Sequence, residues 1–194
     1  MNSLKWTVLA DNRTSNPLLE TEHGLSILLE TARHRVLLDT GASDLFIRNA
    51  DRLGIDLDEV DYVFISHGHA DHAGGLRHFL NINSKARIIV SPDALTGEYF
   101  SKRRFLHSIT TTWPHLPQER MLLISQTCEI DEGLHVIGGF HLLDGQESDD
   151  ELFALGTRLK EKYPQTQFYT SHCTGDRAFQ RLKSVMGPQL NTFI

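Results

Sequence analysis

The segment "SHGHADHAGG" (residues 66–75) is the feature that most limits how this chain can fold. It directly follows the largely apolar run "VDYVFI", whose β-branched and aromatic residues predict a buried strand. Within six residues it places His67, His69, Asp71 and His72. A strand projects alternate side chains to one face, so the first two histidines can point the same way, and the other two residues follow where the chain turns. The sequence therefore predicts a cluster of ligand-forming side chains at the end of a strand.

These residue types are those that bind transition metals. Imidazole suits zinc, iron, nickel or copper, and a carboxylate in the same group extends the choice to iron and manganese. The alternative is a polar surface loop that happens to be rich in histidine. Four potential ligands in six residues behind a buried strand favour the metal site.

Composition narrows the number of domains, the kinds of partner and the location that can be expected. A chain of 194 residues is predicted to form one domain, residues 1–194, around one core. The net charge, 19 − 25 = −6, gives no general attraction to phosphate backbones, so no nucleic-acid partner is predicted. No apolar stretch approaches the roughly 20 residues of a membrane span, so no membrane association is predicted. Two cysteines are too few for a disulfide framework, and this predicts a cytoplasmic location.

Strand and helix patterns are mixed along the chain. The strand-like runs are "LKWTVLA", "GLSILLET", "HRVLLDTG", "EVDYVFISH" and "ARIIVSP". The helix-like runs are "SDLFIRNADRLG", "DHAGGLRHFLNIN", "SDDELFALGTRLKEKYP" and "GDRAFQRLKSVMG". Such a mixture within one core predicts a layered α/β or α+β protein.

Three motifs together resemble one known family. "SHGHADHAGGL" resembles the His-x-His-x-Asp-His signature of the metallo-β-lactamase fold, "VLLDTG" resembles its first motif, and "YTSHCTG" resembles its closing motif. The resemblance covers the chain from about Leu9 to Leu182. It implies a four-layer αβ/βα sandwich with the metal site at one edge of the two sheets. It also implies that Asp39 supports the metal loop by hydrogen bonds and that His172 is a distant ligand.

Further segments resemble one branch of that family. They are Asp11–Asn12, "EHGLSILLE", "LLDTGAS", "GGFHL" and "SHCTG". The branch carries the label 7,8-dihydropterin-6-methyl-4-(β-D-ribofuranosyl)aminobenzene-5′-phosphate synthase. Its members usually have a "GCSH"-type segment that supplies the third histidine of the first metal site. Here that segment is missing, so we expect a fold shortened by about one β/α unit.

The missing histidine needs a replacement, and His141 in "GGFHL" is the predicted one. A role as a supporting or substrate-contacting residue is left open for it. Asp144 and His135 are weaker candidates, and Cys173 is predicted to be a buried small residue rather than a ligand. The predicted metal ligands are His67, His69, Asp71, His72, His141 and His172, with Asp71 also catalytic.

A metal held by histidines with one open position lowers the pKa of bound water toward neutrality. We therefore predict a metal-dependent hydrolase that acts through a metal-activated hydroxide on a small molecule, of phosphorylated or pterin-like type. One or two divalent ions are predicted; zinc is favoured, with manganese, iron or nickel as alternatives. Asn12, His23, Tyr99, Lys102, Arg103 and Arg104 are the predicted substrate-binding residues, because Arg and Lys suit phosphate and an aromatic ring suits a planar group.

Other functions stay open at this point. The branch label implies a pterin-related synthase. A weakened second metal position would suit a mononuclear-iron oxygenase, and loss of the "GCSH" segment would suit a non-catalytic ligand-binding protein. The predicted partner is a small-molecule substrate, and a homodimer is one option for the oligomeric state.

Overall fold

The computed structural model describes residues 5–102, 105–125, 128–131, 134–136, 147–164, 168–170 and 174–192. These residues belong to two compact units, Met1–Ile137 and Gly138–Ile194. Among the described residues, no helix has the length and the apolar character that crossing a membrane requires.

The first unit contains ten strands and four helices among its described residues. The strands are β1 Lys5–Ala10, β2 Ser26–Glu30, β3 Arg35–Leu38, β4 Tyr62–Ile65, β5 Arg87–Val90, β6 Phe100–Ser101, β7 His107–Ser108, β8 Met121–Leu123, β9 Cys128–Asp131 and β10 Leu134–Val136. The helices are α1 Leu45–Arg52, α2 Ala70–Ala73, α3 Leu76–Ile82 and α4 Pro92–Thr96.

Six of these strands form one mixed sheet in the order β1-β2-β3-β4-β5-β8. The pairs β1–β2 and β2–β3 are antiparallel, whereas β3, β4, β5 and β8 run parallel to one another. All five strand-like runs expected from the sequence are strands of this sheet. The pairs β6–β7 and β9–β10 are separate antiparallel ladders. The pair β6–β7 lies in a region where the sequence pattern predicted no strand.

The core of the first unit lies between the sheet and its helices. In α1 the residues Leu45, Phe46 and Ala50 recur on one face and are buried, which explains why the pattern "SDLFIRNADRLG" predicted a helix. The largest fully buried side chains of this core include Leu9, Leu28, Leu37, Phe46, Ile65, Leu76, Phe79 and Ile88.

The second unit contains α5 Asp149–Lys162, β11 Phe168–Thr170, α6 Asp176–Met186 and β12 Leu190–Thr192. The helix α5 begins at a capping box in which Ser148 and Glu151 satisfy each other's backbone N–H groups. The strands β11 and β12 pair in parallel. A small core of Phe168, Leu182, Met186 and Leu190 lies under them.

Candidate active site

The candidate site lies at the carboxyl edge of the parallel part of the sheet. The strands β3 and β4 are parallel neighbours, so their carboxyl ends meet at the same edge. Asp39 follows β3 and His67 follows β4, which brings the two sequence motifs together. Open α/β sheets commonly bind ligands in the crevice outside these strand ends.

Asp39 is the buried acceptor at the base of the site. It is 1% exposed and has a positive φ of 56°, a conformation that aspartate tolerates better than most residues. One carboxylate oxygen accepts the Ser66 backbone N–H at 2.8 Å, and the other accepts the Ser66 hydroxyl at 2.7 Å. The second oxygen also lies 2.7 Å from Nδ1 of His72. These hydrogen bonds compensate the burial of the carboxylate and join β3 to the histidine segment.

The same contacts determine which ring nitrogens face the cluster. His72 donates its Nδ1 proton to Asp39, because an ionised carboxylate can only accept. The Ser66 hydroxyl proton also goes to Asp39, so its oxygen accepts from Nδ1 of His67 at 2.9 Å. In both rings Nε2 is then the nitrogen that can bind a metal. This is the arrangement in which a hydrogen bond from the far nitrogen fixes the tautomer and orientation of a ligating histidine.

Three imidazole rings and one carboxylate converge here. The ring centroid of His67 lies 4.3 Å from that of His69 and 4.1 Å from that of His72. Asp71 reaches both neighbours: Oδ2 is 3.7 Å from Nε2 of His72, and Oδ1 is 4.0 Å from Nδ1 of His69. His69 and His72 are buried, at 7% and 1% exposure.

Backbone hydrogen bonds hold the cluster from two sides. The hydroxyl and the backbone N–H of Thr40 both donate to the His72 carbonyl, at 3.1 and 2.8 Å. On the other side, the Ala70 N–H donates to the Ile109 carbonyl and the Thr111 N–H to the Gly68 carbonyl, each at 2.8 Å. A side chain at Gly68 would meet the Ala94 carbonyl oxygen and the Tyr99 ring, so only glycine fits there.

Three of the predicted substrate-binding residues lie beside the cluster. The Tyr99 ring packs edge-on against His69 with centroids 4.6 Å apart. Nε2 of His23 lies 3.4 Å from Oδ2 of Asp71, and the same ring contacts the side chain of Asn12 at 3.2 Å. Lys102 is exposed and directly follows β6.

Several predicted residues lie outside the described residues: Arg103, Arg104, His141, Asp144, His172 and Cys173. Their roles stay predictions, as does that of the His135 side chain.

Within the described part of the chain, no three histidine, cysteine, aspartate or glutamate side chains already form a complete metal site. The chemistry of the donor set nevertheless fits a divalent ion, since it combines imidazole nitrogens of fixed tautomer with an adjacent carboxylate.

Sequence reasoning did not single out three residues that support the site: Ser66, Thr40 and Glu22. One carboxylate oxygen of Glu22 accepts the Ala42 and Ser43 N–H groups at 2.9 and 3.3 Å, and the other accepts the Ser43 hydroxyl at 2.6 Å. Ser66 and Thr40 each adjoin a residue of a recognised motif, and that adjacency was the available signal. Glu22 begins the quoted segment "EHGLSILLE", but the loop it holds lies 20 residues further along the chain, so the motif alone did not show this contact.

Comparisons with known proteins agree with this architecture. A family model of the metallo-beta-lactamase superfamily matches residues 20–150. The crystal structure of Tm1679, described as a metal-dependent hydrolase of the beta-lactamase superfamily, covers 98% of this chain and 95% of its own, with a TM-score of 0.69 and 24% identity. That likeness shows the fold.

Two curated relatives come from Methanocaldococcus jannaschii. An uncharacterized protein is 34% identical over 99 residues, which is 50% of this chain and 38% of that protein. A protein named 7,8-dihydropterin-6-methyl-4-(beta-D-ribofuranosyl)-aminobenzene-5'-phosphate synthase is 28% identical over 107 residues, which is 52% of this chain and 36% of that protein. The matched segments thus span little more than a third of either relative.

The α/β fold of metallo-β-lactamase type, expected from the sequence motifs, is confirmed by the structural likeness. Membership of a superfamily that includes metal-dependent hydrolases also supports the general prediction of an enzyme. Since the family model matches well over half of the residues, this chain belongs to the metallo-beta-lactamase superfamily.

Proposed function

We propose that this protein is a metal-dependent hydrolase of a small molecule, with zinc as the favoured ion. One observation carries the proposal: His67, His69, Asp71 and His72 converge at the carboxyl edge of the sheet, with Asp39 buried directly behind His72. Buried imidazoles with a fixed tautomer beside a carboxylate are the donors that divalent zinc prefers.

The chain's own residues have distinct roles in this proposal. The Nε2 atoms of His67 and His72 would hold the one or two ions, with His69 and Asp71 as further ligands. When bound, the ion would polarise the scissile bond and make a water nucleophilic near neutral pH. Asp71, half-buried, would also orient the attacking water through a carboxylate oxygen. Asp39 would keep the His72 ring in place while charge develops beside it.

The rim supports a planar or phosphorylated substrate. The Tyr99 ring stands against His69 and offers an aromatic wall next to the cluster. Lys102 is exposed and lies close to Tyr99 in the sequence. It can bind an anionic group, and so can Arg103 and Arg104, which lie outside the described residues. The name of the synthase relative also refers to a pterin and a phosphate, which favours this substrate class.

A pterin-related synthase is the second candidate function. It is favoured by one finding, the 28% identity to the synthase relative over 107 residues. A mononuclear-iron oxygenase and a non-catalytic binding protein remain the other candidates, and the metal content separates them. The cytoplasmic location, the single-domain organisation and a homodimeric state stay predictions.

Elemental analysis of protein purified without added metal, combined with a hydrolysis screen, tests the proposal. The screen would contain phosphoesters, thioesters, lactones and reduced pterins. We expect one or two zinc ions per chain and hydrolysis of at least one class. Both should fall in His69→Ala and persist in His115→Ala, which replaces an exposed histidine outside the cluster.

Two other outcomes would replace or overturn the proposal. Iron at one ion per chain, with oxygen consumption and no hydrolysis, would replace the proposal by the oxygenase. A protein that binds no divalent ion after reconstitution would overturn it. The same measurement on His141→Ala shows whether that residue supplies a ligand.

A further inference from the structure

His23 lies closer to the cluster than a general substrate-binding residue needs to be. Its side chain is 58% exposed, yet both ring nitrogens have protein partners. Nδ1 lies 3.2 Å from the side-chain oxygen of Asn12, and Nε2 lies 3.4 Å from Oδ2 of Asp71. The His23 ring therefore bridges Asn12 and Asp71.

The contact with Asn12 determines the tautomer of this ring. The backbone N–H of Gly24 donates to the same Asn12 atom at 3.3 Å, which identifies that atom as the amide oxygen. Since an amide oxygen only accepts, Nδ1 of His23 carries a proton and donates it. In the neutral imidazole, Nε2 then presents a lone pair toward the Asp71 carboxylate.

Nε2 of His23 and Oδ2 of Asp71 face each other at 3.4 Å, which is longer than the about 2.7–2.9 Å of a direct hydrogen bond between charged partners. Two donors bound at about 2.1 Å to one tetrahedral ion lie about 3.4 Å apart. The spacing thus matches a pair of ligands to one ion.

The third member of this group is His72. Its Nε2 is 3.7 Å from the same Asp71 oxygen, so that oxygen lies close to one nitrogen of each ring. Both rings are fixed from behind in the same way, His72 by Asp39 and His23 by Asn12. A hydrogen bond from the far nitrogen is the usual support of a histidine that binds metal.

We propose that His23 is a metal ligand that shares one ion with Asp71 and His72, and that Asn12 is its positioning residue. The inference rests on the proposed function. Among the described residues the three side chains do not stand at full ligand geometry, so binding of the ion would require a small rotation of the His23 ring, whose side chain is 58% exposed. The proposal supplies a ligand from the segment before β2, independent of His141 and His172.

The backbone keeps this segment in position. The Leu25 N–H donates to the Asp71 carbonyl at 3.1 Å. A Cβ at Gly24 would lie 2.8 Å from the same carbonyl oxygen, so the two chain segments are as close as backbone allows.

Zinc affinity measured by competition with a chromophoric chelator tests the proposal on the full chain. The variants are His23→Ala, His23→Gln and Asn12→Ala, with His115→Ala as the control. Loss of a supporting residue typically lowers metal affinity about 10- to 100-fold. We expect the two His23 variants to lower zinc affinity by more than this, and Asn12→Ala to lower it by about this amount. His115→Ala should bind as the wild type does, and circular dichroism should show that all variants are folded.

Two spectroscopic measurements on the same proteins separate a ligand from an ion pair. In the cobalt-substituted protein, the visible absorption should change in His23→Gln and stay unchanged in His115→Ala. In protein labelled with ¹⁵N-histidine, zinc should shift the Nε2 resonance of His23 while Nδ1 keeps its proton.

Equal or tighter zinc binding by His23→Ala would overturn the inference, because an ion pair between His23 and Asp71 competes with metal. In that case, zinc binding by the wild type that is lost in His69→Ala would still support the proposed function. A wild-type protein that binds no zinc or cobalt would overturn both.

Discussion

The Asp39 carboxylate and the His72 imidazole form a hydrogen bond of 2.7 Å, and each side chain is 1% exposed. The pair links residues 33 positions apart and connects the end of β3 to helix α2. Because water cannot reach either group, the orientation of the His72 ring depends on this contact and on the carboxylate's bonds to Ser66.

Asp39→Asn is expected to damage both stability and metal binding. The carboxylate uses one oxygen for the Ser66 N–H and the other for the Ser66 hydroxyl and His72. An amide has one oxygen, so its NH₂ group must face a buried donor. We expect the free energy of unfolding to fall by at least about 2 kcal/mol and zinc affinity to fall about 10- to 100-fold. Urea unfolding and chelator competition measure the two effects.

The control for this variant is Asp51→Asn, which replaces an exposed carboxylate on α1. It should leave both quantities within about 0.5 kcal/mol of the wild-type values, as is usual for surface substitutions. If Asp39→Asn bound zinc as tightly as the wild type, the supporting role of Asp39 would be wrong.

The ion pair between Lys5 and Glu30 makes stability depend on pH. Lys5 on β1 bonds the Glu30 carboxylate on β2 at 2.9 Å and lowers the pKa of Glu30 from its ordinary 4.5, while partial burial opposes the shift. A carboxyl whose pKa is lowered by folding stabilises the protein above its ordinary pKa. That contribution is lost as pH falls through the folded-state value.

Glu30→Gln should therefore be less stable than the wild type near pH 7 by up to about 1 kcal/mol, and the difference should shrink as pH falls below 4.5 and through the lowered folded-state pKa. Urea unfolding between pH 7 and pH 3 measures the difference. Glu59→Gln, which removes an exposed pair with Lys85 at 3.4 Å, is the matched control and should show a smaller effect. A difference for Glu30→Gln that did not vary with pH would show that the ion pair is not its cause.

The strands and the histidine cluster could be predicted because their signals are local. The run "VDYVFI" is largely apolar and predicts a strand, and the histidine-rich segment that follows it predicts a site. The structure places that segment at the end of β4. Likewise the acidic start and basic end of "SDDELFALGTRLKEKYP" predicted α5, where Ser148 forms the cap. Periodicity and capping are properties of neighbouring residues, so a single sequence contains them.

The contacts that position the site could not be predicted in the same way. Glu22 reaches Ser43, His23 reaches Asp71, and Asp39 reaches His72, over separations of 21 to 48 residues along the chain. Their distances depend on how β2, β3 and β4 pair, which the residue pattern does not encode locally. The pair β6–β7 was missed because each strand has only two residues, too few for an alternation to appear.

Asn83→Ala tests a structural contact that is distant in sequence from the site. Its amide donates to the carbonyl groups of Leu57, Asp58 and Val60 at 3.0 to 3.1 Å, and its oxygen accepts from the N–H groups of Lys85 and Ala86. Removal leaves buried backbone groups without partners, and each such group costs about 1–3 kcal/mol.

We expect Asn83→Ala to lower the free energy of unfolding by about 3 kcal/mol or more in urea, without changing the zinc affinity of the folded protein. The control is Asn16→Ala, whose amide oxygen accepts the exposed N–H of Leu18. A loss of zinc affinity in folded Asn83→Ala would show that the segment between α3 and β5 is coupled to the candidate site.

Gly24→Ala tests whether the segment before β2 must lie against Asp71. The new methyl group would lie 2.8 Å from the Asp71 carbonyl oxygen and 3.0 Å from the Ala42 nitrogen, so the backbone has to move. Overpacking of this kind costs about 1–3 kcal/mol, and the shift would carry His23 away from Asp71. Zinc affinity should therefore fall together with the melting temperature.

Gly54→Ala is the matched control: its φ of +68° also disfavours alanine, but no atom of the described residues lies within 4 Å of the added methyl group. It should lower the melting temperature and leave zinc affinity unchanged, because residue 54 follows α1 and no contact joins it to the cluster within the part of the chain that the structure describes. Unchanged zinc affinity in Gly24→Ala, with the expected loss of stability, would mean that the distance between His23 and Asp71 does not govern metal binding.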